Sequence, residues 1–249
     1  MKTTKKVLII IPCYNEAENI ATLLNHLHTV SFAANYSVDF AVINDCSKDN
    51  TAAIVRNSPK VILLDLPVNL GIGGAVQTGF KYAFANGYDF AIQVDGDGQH
   101  PADALPLLLQ EAENCNCDVV IGSRFIQKEG FQSSFTRRLG INYFKWLNRF
   151  FTGLVITDST SGFRLLNNKA IEMAVNYYPD KYPEPESIIV YALNGLAIKE
   201  IPVIMSERQG GVSSISSFSA LFYMAKVSLG IFYTFMRIKI QTKWQRSKS

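Results

Sequence analysis

No aspartate or glutamate follows Glu207, although seven cations do: Arg208, Lys226, Arg237, Lys239, Lys243, Arg246 and Lys248. Since all 249 residues together carry +3, the part before Arg208 stands at about −4. An acidic-to-neutral body with a basic tail excludes a nucleic-acid binder of evenly basic surface and suits a membrane-surface protein. Long apolar runs are missing too. In the C-terminal part the longest uncharged apolar stretch, Val227–Met236, falls well short of the ~20 residues a membrane span requires. The apolar run after Lys6 is too short for the core of a signal peptide. The four cysteines, Cys13, Cys46, Cys115 and Cys117, form no C-x-x-C pair. Cys115-Asn116-Cys117 is too tight and isolated for zinc, so reduced thiols in a cytosolic setting are expected. Finally, Asn69-Leu70-Gly71-Ile72-Gly73-Gly74 fails the G-x-G-x-x-G dinucleotide pattern, because Val76 takes the third glycine position, and it lacks the lysine of a P-loop. Close backbone approach to a ligand and tight helix–sheet packing are the two uses left for those glycines.

What is present is regular alternation. Lys6–Ile11, Val38–Ile43, Val61–Leu64, Phe90–Val94 and Val119–Ile121 read as strands rich in Val and Ile. Residues 16–28, 49–57, 74–86 and 101–113 between them have helical spacing. The pattern predicts an α/β domain whose mostly parallel sheet is covered by helices on both faces. Beyond residue 122 it loosens into a loop over 122–135, a helix with aromatic stripes over 136–152, a turn into a strand over 156–166, a short helix over 186–193 and a strand over 196–203. A catalytic domain over 1–214 and a C-terminal helix with basic tail over 215–249 is the expected division.

Ligands of such sheets bind at the carboxyl ends of the strands, and three polar motifs fall there. Val94-Asp95-Gly96-Asp97-Gly98-Gln99-His100-Pro101 is the most informative. Two carboxylates one residue apart at a sheet rim suit Mg²⁺ or Mn²⁺ shared with a diphosphate, because such ions take most ligands from phosphate and water. An acidic turn that caps the next helix is the plainer reading. Pro12-Cys13-Tyr14-Asn15-Glu16 ends the first strand, where proline is expected to stop the ladder and leave the Tyr14 ring open to a nucleobase. Asn44-Asp45-Cys46-Ser47-Lys48-Asp49 ends the second; Asp45 can accept from ribose hydroxyls or a base N–H, while Ser47 or Asp49 is better suited to capping.

Together with Gly122-Ser123-Arg124 and Ser161-Gly162-Phe163-Arg164, these motifs are similar to those of the family 2 glycosyltransferases, in the branch of dolichol-phosphate mannose synthase and bacterial polyprenyl-phosphate glycosyltransferases. The resemblance implies a glycosyltransferase A-type, Rossmann-like fold, an NDP-sugar donor (UDP- or GDP-linked) and a divalent cation. Carried over by position, Pro12, Tyr14, Glu16 and Asp45 would hold the nucleoside, with Gly74 of the glycine-rich segment approaching the donor. Asp95 would border ribose and diphosphate, and Asp97 with Gln99 would ligate the metal. Arg124 and Arg138 would face the diphosphate or an acceptor phosphate, and Arg164 would add to that positive field. Where the phosphate-acceptor enzymes commonly have a serine one turn after the second arginine, this chain has Asn142. Glu184 or Glu186 would serve as base for a hydroxyl acceptor, or simply favour the dipole of the helix they open. Glu207–Ser214 is similar to a mobile loop whose Arg208 neutralises the leaving group.

Three readings of function follow. The first is metal-dependent, inverting transfer of a sugar to a polyprenyl phosphate by an enzyme lying peripherally on the inner face of the cell membrane. The second is extension of a lipid-linked cell-surface glycan at a hydroxyl, and the third a non-catalytic nucleotide-sugar-binding protein. From about Ser216, apolar residues at Phe218, Leu221, Phe222, Ala225, Leu229, Phe232, Tyr233, Met236 and Ile240 form a helical stripe. That stripe fits an amphipathic helix in the bilayer interface; packing on the domain or homo-oligomerisation are its other uses.

Overall fold

The computed structural model describes residues 4–127, 135–180, 182–205 and 217–246. Seven strands form one sheet: β1 (Lys5–Cys13), β2 (Tyr36–Asn44), β3 (Val61–Asp65), β4 (Phe90–Gln93), β5 (Val119–Ser123), β6 (Arg164–Asn167) and β7 (Ile198–Pro202). Four helices join the first five strands: α1 (Ile20–Thr29), α2 (Thr51–Arg56), α3 (Gly71–Ala85) and, after a short 3-10 turn, α4 (Leu105–Cys115). α5 (Phe135–Thr152), α6 (Asn168–Asn176), α7 (Pro183–Leu193) and α8 (Ser217–Arg246) complete the order.

The sheet runs β3-β2-β1-β4-β6-β5-β7, parallel except for β6, which is antiparallel to both neighbours. β1 lies between β2 and β4, so its Val7–Ile11 run is buried on both faces. One core forms where α1 and α4 cover Ile9, Ile11, Ile92 and Val120; a second forms where α3 and α6 cover Leu8, Ile10, Ala91 and Ile121. The mostly parallel α/β sheet expected from the sequence is present.

Three local expectations are corrected. β1 does not stop at Pro12 but pairs with β2 as far as Cys13. The Ile10 carbonyl bonds Val94 and the Cys13 carbonyl bonds Asp45, so residues 10 and 12 turn their polar groups toward β4. β4 has ended at Gln93, opposite Ile10, and the missing N–H of Pro12 therefore breaks no ladder bond. α3 begins at Gly71 rather than Gly74, because the Asp45 carboxylate, arriving from the end of β2, accepts from the backbone N–H groups of Leu70 (2.7 Å) and Gly71 (2.9 Å). Cys115 and Cys117 are joined by a disulfide and are not reduced thiols. Asn116 between them takes a left-handed conformation (φ 50°) at the end of α4, which turns the chain back so that the two side chains meet.

α8 packs on α7 and α5 through Val227 and Ile231, and Thr234 and Ile238 are also buried. The Thr234 hydroxyl lies 3.2 Å from that of Tyr177, and the Arg237 guanidinium stacks 3.6 Å from the Tyr177 ring centre. Among the described residues no helix is long and apolar enough to cross a membrane.

Candidate functional site

Parallel strands end together, so the loops after β1, β2 and β4 meet at one rim. They are tied to one another by short polar bonds. Asn15, in the left-handed region (φ 57°), donates its N–H to Ser47 Oγ (2.9 Å) and accepts from Lys48 N–H (2.8 Å) through its side chain. Glu16 N–H donates to Thr51 Oγ1 and Ala17 N–H to Asp49 Oδ2. Ser47 and Asp49 thus serve neighbouring loops, which a local capping argument does not show.

Between these loops and α3 lies a cleft of about 470 Å³. Pro12, Cys13, Tyr14, Glu16, Asp45, Asp95 and Asp97 line it, facing Gly71, Ile72 and Ala75. Tyr14 keeps 43% of its surface exposed, so a face of its ring is open to a ligand. Asp45 is buried and uses both oxygens to hold Leu70 and Gly71; each oxygen retains a second lone pair. Gly74 faces the Leu70 side chain, and it is Gly71 that reaches the cleft. Gly73 settles the question of packing against ligand approach at its own position: a Cβ there would collide with the carbonyls of Pro179 and Asp180.

The carboxylates of the Asp95–Asp97 segment are fixed from below. Gln93 Nε2 donates to Asp95 Oδ1 (3.0 Å), and the buried His100 accepts the Asp95 N–H at Nδ1 (2.9 Å). With Nδ1 accepting, the ring carries its proton on Nε2, which lies 3.5 Å from Asp95 Oδ2. Asp97 Oδ1 accepts the Gln99 N–H (3.1 Å), closing a tight turn through Gly98, whose φ is +74°. Gly96 lets this loop lie against the end of β1, since a Cβ there would stand 2.7 Å from Cys13 Sγ. Burial, then the charges of Glu16 and Asp95, push the Cys13 thiol well above its usual pKa and keep it protonated. Among the described residues no three of His, Cys, Asp and Glu are gathered into a closed metal site. Hard carboxylate oxygens at an open cleft fit a cation that completes its shell from a ligand's phosphates and water.

Arg124 lies within the electrostatic reach of Asp95 and is held by a residue that sequence reasoning missed. Asp158, fully buried, accepts from Arg124 Nε (2.7 Å), Nη2 (2.8 Å) and backbone N–H (3.1 Å). Thr160 takes a second Nη2 proton (3.0 Å). Burial works against the guanidinium charge, but the bonds and charge of Asp158 more than offset it and raise the Arg124 pKa. Asp158 is itself positioned from β7: Glu200 accepts from the backbone N–H groups of Thr157 (2.7 Å) and Asp158 (2.8 Å) and from the Thr157 hydroxyl. The usable signal was Asp158-Ser159-Thr160 directly before the Ser161-Gly162-Phe163-Arg164 motif. Arg164 is buried and spends its donors on the carbonyls of Ser159, Ser161 and Glu184 and on the Ser187 hydroxyl. It is a fixed positive charge under the site rather than a hand reaching out of it.

The two glutamates of α7 part company. Glu184 lies within the electrostatic reach of Arg164, Asp95 and Arg124; burial raises its pKa and Arg164 opposes the rise. Glu186 turns toward α8, where a Cβ on Gly230 would collide with its carboxylate. Burial, reinforced by Asp180 and opposed by Arg237, lifts the Glu186 pKa to about 7. An acid whose pKa is raised on folding binds more protons folded than unfolded. Stability therefore falls as pH rises from the ordinary glutamate value toward 7, and the cost is complete above it. The substitution Glu186→Gln is expected to flatten the dependence of melting temperature on pH between 5 and 8 and to raise it at pH 8. An unchanged slope would show that Glu186 stays solvated. Arg138 lies on α5, its side chain outside the described residues, as is Arg208 with the loop proposed around it. Asn142 is exposed on α5.

Comparison with known proteins points to one family. Residues 8–173 match the family described as glycosyl transferase family 2. A UDP-N-acetylglucosamine–dolichyl-phosphate N-acetylglucosaminyltransferase of Methanococcus voltae is 31% identical over 80% of this chain and 85% of its own length. The polyprenol monophosphomannose synthase of Mycolicibacterium smegmatis is 29% identical over 92% of this chain and 88% of its own. Among solved structures, glucosyl-3-phosphoglycerate synthase from Mycobacterium tuberculosis, in complex with Mn²⁺, UDP-glucose and phosphoglyceric acid, superposes with a TM-score of 0.66 at 15% identity, covering 94% of this chain and 79% of that one. The last similarity is one of fold.

Proposed function

We propose, since the chain belongs to glycosyl transferase family 2, that it moves a sugar from a UDP- or GDP-linked donor to the phosphate of a polyprenyl lipid. It is a glycosyltransferase of the polyprenyl-phosphate branch, with a glycosyltransferase A-type fold. The observation that carries the donor half of the proposal is the cleft where Tyr14, Asp45, Asp95 and Asp97 converge. In this reading the base stacks on Tyr14, with Pro12, Glu16 and Asp45 around the nucleoside, while Asp95 borders the ribose and diphosphate.

Asp97, with Gln99 beside it, would hold Mg²⁺ or Mn²⁺; when bound, the cation neutralises charge on the diphosphate and makes it a better leaving group. Arg124 would present the remaining end of its fork: Nε and Nη2 are spent on Asp158 and Thr160, and among the described residues Nη1 has no hydrogen-bond partner. A guanidinium so anchored is suited to an anionic oxygen. Arg138 and Arg208 would add charge at the acceptor and diphosphate. Attack from the face opposite the leaving group inverts the anomeric carbon. A phosphate acceptor is already an anion and needs no base.

The second reading, attack by a glycan hydroxyl, needs a carboxylate to take the proton, and Glu184, within the electrostatic reach of Asp95 and Arg124, is better suited to that role than Glu186, which turns toward α8. The two readings separate in one assay. With radiolabelled donor, Mn²⁺ and polyprenyl phosphate alone, a butanol-soluble labelled lipid is expected, and Glu184→Gln is expected to keep turnover within about tenfold, the effect of a neighbouring charge rather than of a lost base. Product only with a saccharide primer, lost in Glu184→Gln, would establish the second reading instead. On the first, the enzyme acts peripherally at the inner face of the cell membrane.

A further inference from the structure

The disulfide between Cys115 and Cys117 lies away from the sugar cleft. It spans the turn from the end of α4 to the start of β5, at the amino ends of the parallel strands, whereas the cleft opens at their carboxyl ends. A cross-link stabilises chiefly by restricting the unfolded chain, and the benefit grows with the loop it closes. Closing a loop of only Cys115, Asn116 and Cys117 gives about half of what a 15-residue loop gives, so this bond is a poor staple.

Nor is the bond needed to hold its own turn. Cys117 N–H donates to the Ala112 carbonyl (3.1 Å) and Asn116 N–H to that of Glu113 (3.4 Å), the paired bonds of a helix end that turns through a left-handed residue. On the far side Asp118 N–H donates to the Ala197 carbonyl (2.9 Å), and the Asp118 carboxylate accepts from Ala197 N–H (2.8 Å) and Asn167 Nδ2 (2.9 Å). These bonds hold the two Cα atoms 5.2 Å apart without help from the sulfurs, a spacing from which a disulfide closes with no movement of the backbone. The two sulfurs differ in access: Cys117 is buried, while Cys115 is partly exposed. The carboxylates nearest in sequence are each paired with a lysine, Glu111 with Lys199, Glu113 with Lys5 and Asp118 with Lys169. An approaching thiolate therefore meets little unbalanced negative charge.

We propose that Cys115 and Cys117 are a thiol-exchange site, a pair that cycles between disulfide and dithiol in the folded protein by reaction with dithiols and with disulfide oxidants of the glutathione type. In reduction a thiolate of the donor attacks Cys115 Sγ; the S–S bond breaks, and Cys117 leaves as a thiolate and takes up a proton. The donor's second thiolate then attacks the mixed disulfide and releases Cys115. Two electrons pass to the pair, and the dithiol ends as a disulfide. Oxidised glutathione runs the same steps in reverse, two molecules of glutathione leaving as the pair closes. This chemistry is independent of sugar transfer.

Counting iodoacetamide adducts by intact mass on the native full chain tests it. Cys13, buried and protonated, and Cys46 are the free thiols that set the baseline. Dithiothreitol is expected to add two adducts, mapped to Cys115 and Cys117, and oxidised glutathione to remove them again. The reduced protein should melt only about 3–6 °C lower, and the double variant Cys115→Ser with Cys117→Ser should match it. Single variants read the point of entry: Cys117→Ser, which keeps Cys115, should take up glutathione at least about tenfold faster than Cys115→Ser. A bond that opens only in denaturant would be a structural staple and overturns the proposal. So do thiols that reclose only between two copies, or a reduced chain that unfolds at room temperature. Equal uptake by the two single variants overturns Cys115 as the sulfur attacked.

Discussion

The variant Asp97→Asn is expected to lose sugar transfer by about 10³-fold while remaining folded. Asp97 lines the cleft beyond the end of β4, and its Oδ1 accepts the Gln99 N–H, a bond that an asparagine oxygen also accepts. The substitution removes charge and keeps that turn bond, so the stability of the free protein should change by no more than a surface substitution does, about 0.5 kcal/mol. The loss comes from the leaving group. Charge stabilisation by a bound cation is worth several kcal/mol, and about 4 kcal/mol corresponds to roughly 10³ in rate. A second readout separates this from a general defect: the Mn²⁺-dependent part of the thermal shift produced by UDP or GDP should vanish with the activity, since bound ligand stabilises only the folded state. Asp97→Asn protein that still transfers sugar in the presence of Mn²⁺ would remove the cation from Asp97.

The rim and its contents were legible because local signals mark them. Runs rich in Val and Ile lead into the motifs that open at Pro12, Asn44 and Asp95, and parallel order brings such strand ends to one edge. Most of what escaped depends on partners far along the chain. α3 starts at Gly71 because Asp45, 26 residues earlier, caps it. α6, unpredicted, is opened by Asn167, which accepts the Ala170 N–H (3.0 Å), a short-range signal that the weak apolar pattern after residue 166 hid. The terminal helix shows the same limit from the other side. Its apolar stripe is in the sequence, but only packing reveals that Val227, Ile231 and Thr234 meet the body while Leu229, Phe232, Tyr233, Met236 and Ile240 face out. Asp158 and Glu200 escaped for the simplest reason: their importance lies in what they touch, 34 residues back at Arg124 and 42 residues back at Asp158.

That anchoring makes Asp158 the position where a single change should cost most in stability. Asp158 is fully buried, and Arg124 keeps only 18% of its side chain exposed. Taking away one partner of such a pair leaves the other charge desolvated, at a cost of about 3–5 kcal/mol. For a chain of this length each kcal/mol lowers the melting temperature by about 2–4 °C, so Asp158→Ala should melt roughly 6–20 °C lower. Activity should fall as well, because a freed guanidinium turns to the carboxylates already within its field, Asp95 and Glu184, and leaves the acceptor's path. Stability and function come apart in the paired variant Arg124→Met with Asp158→Leu. Replacing a buried ion pair by apolar groups of similar volume is often neutral, so this variant should regain most of the melting temperature. Sugar transfer should stay low, since no cation remains to meet the acceptor. Recovery of transfer along with stability would show the pair to be a brace for the loop after β5 and nothing more. Low activity in a protein restored to wild-type stability would place Arg124 in contact with substrate, with Asp158 positioning it and Glu200 holding Asp158 in turn.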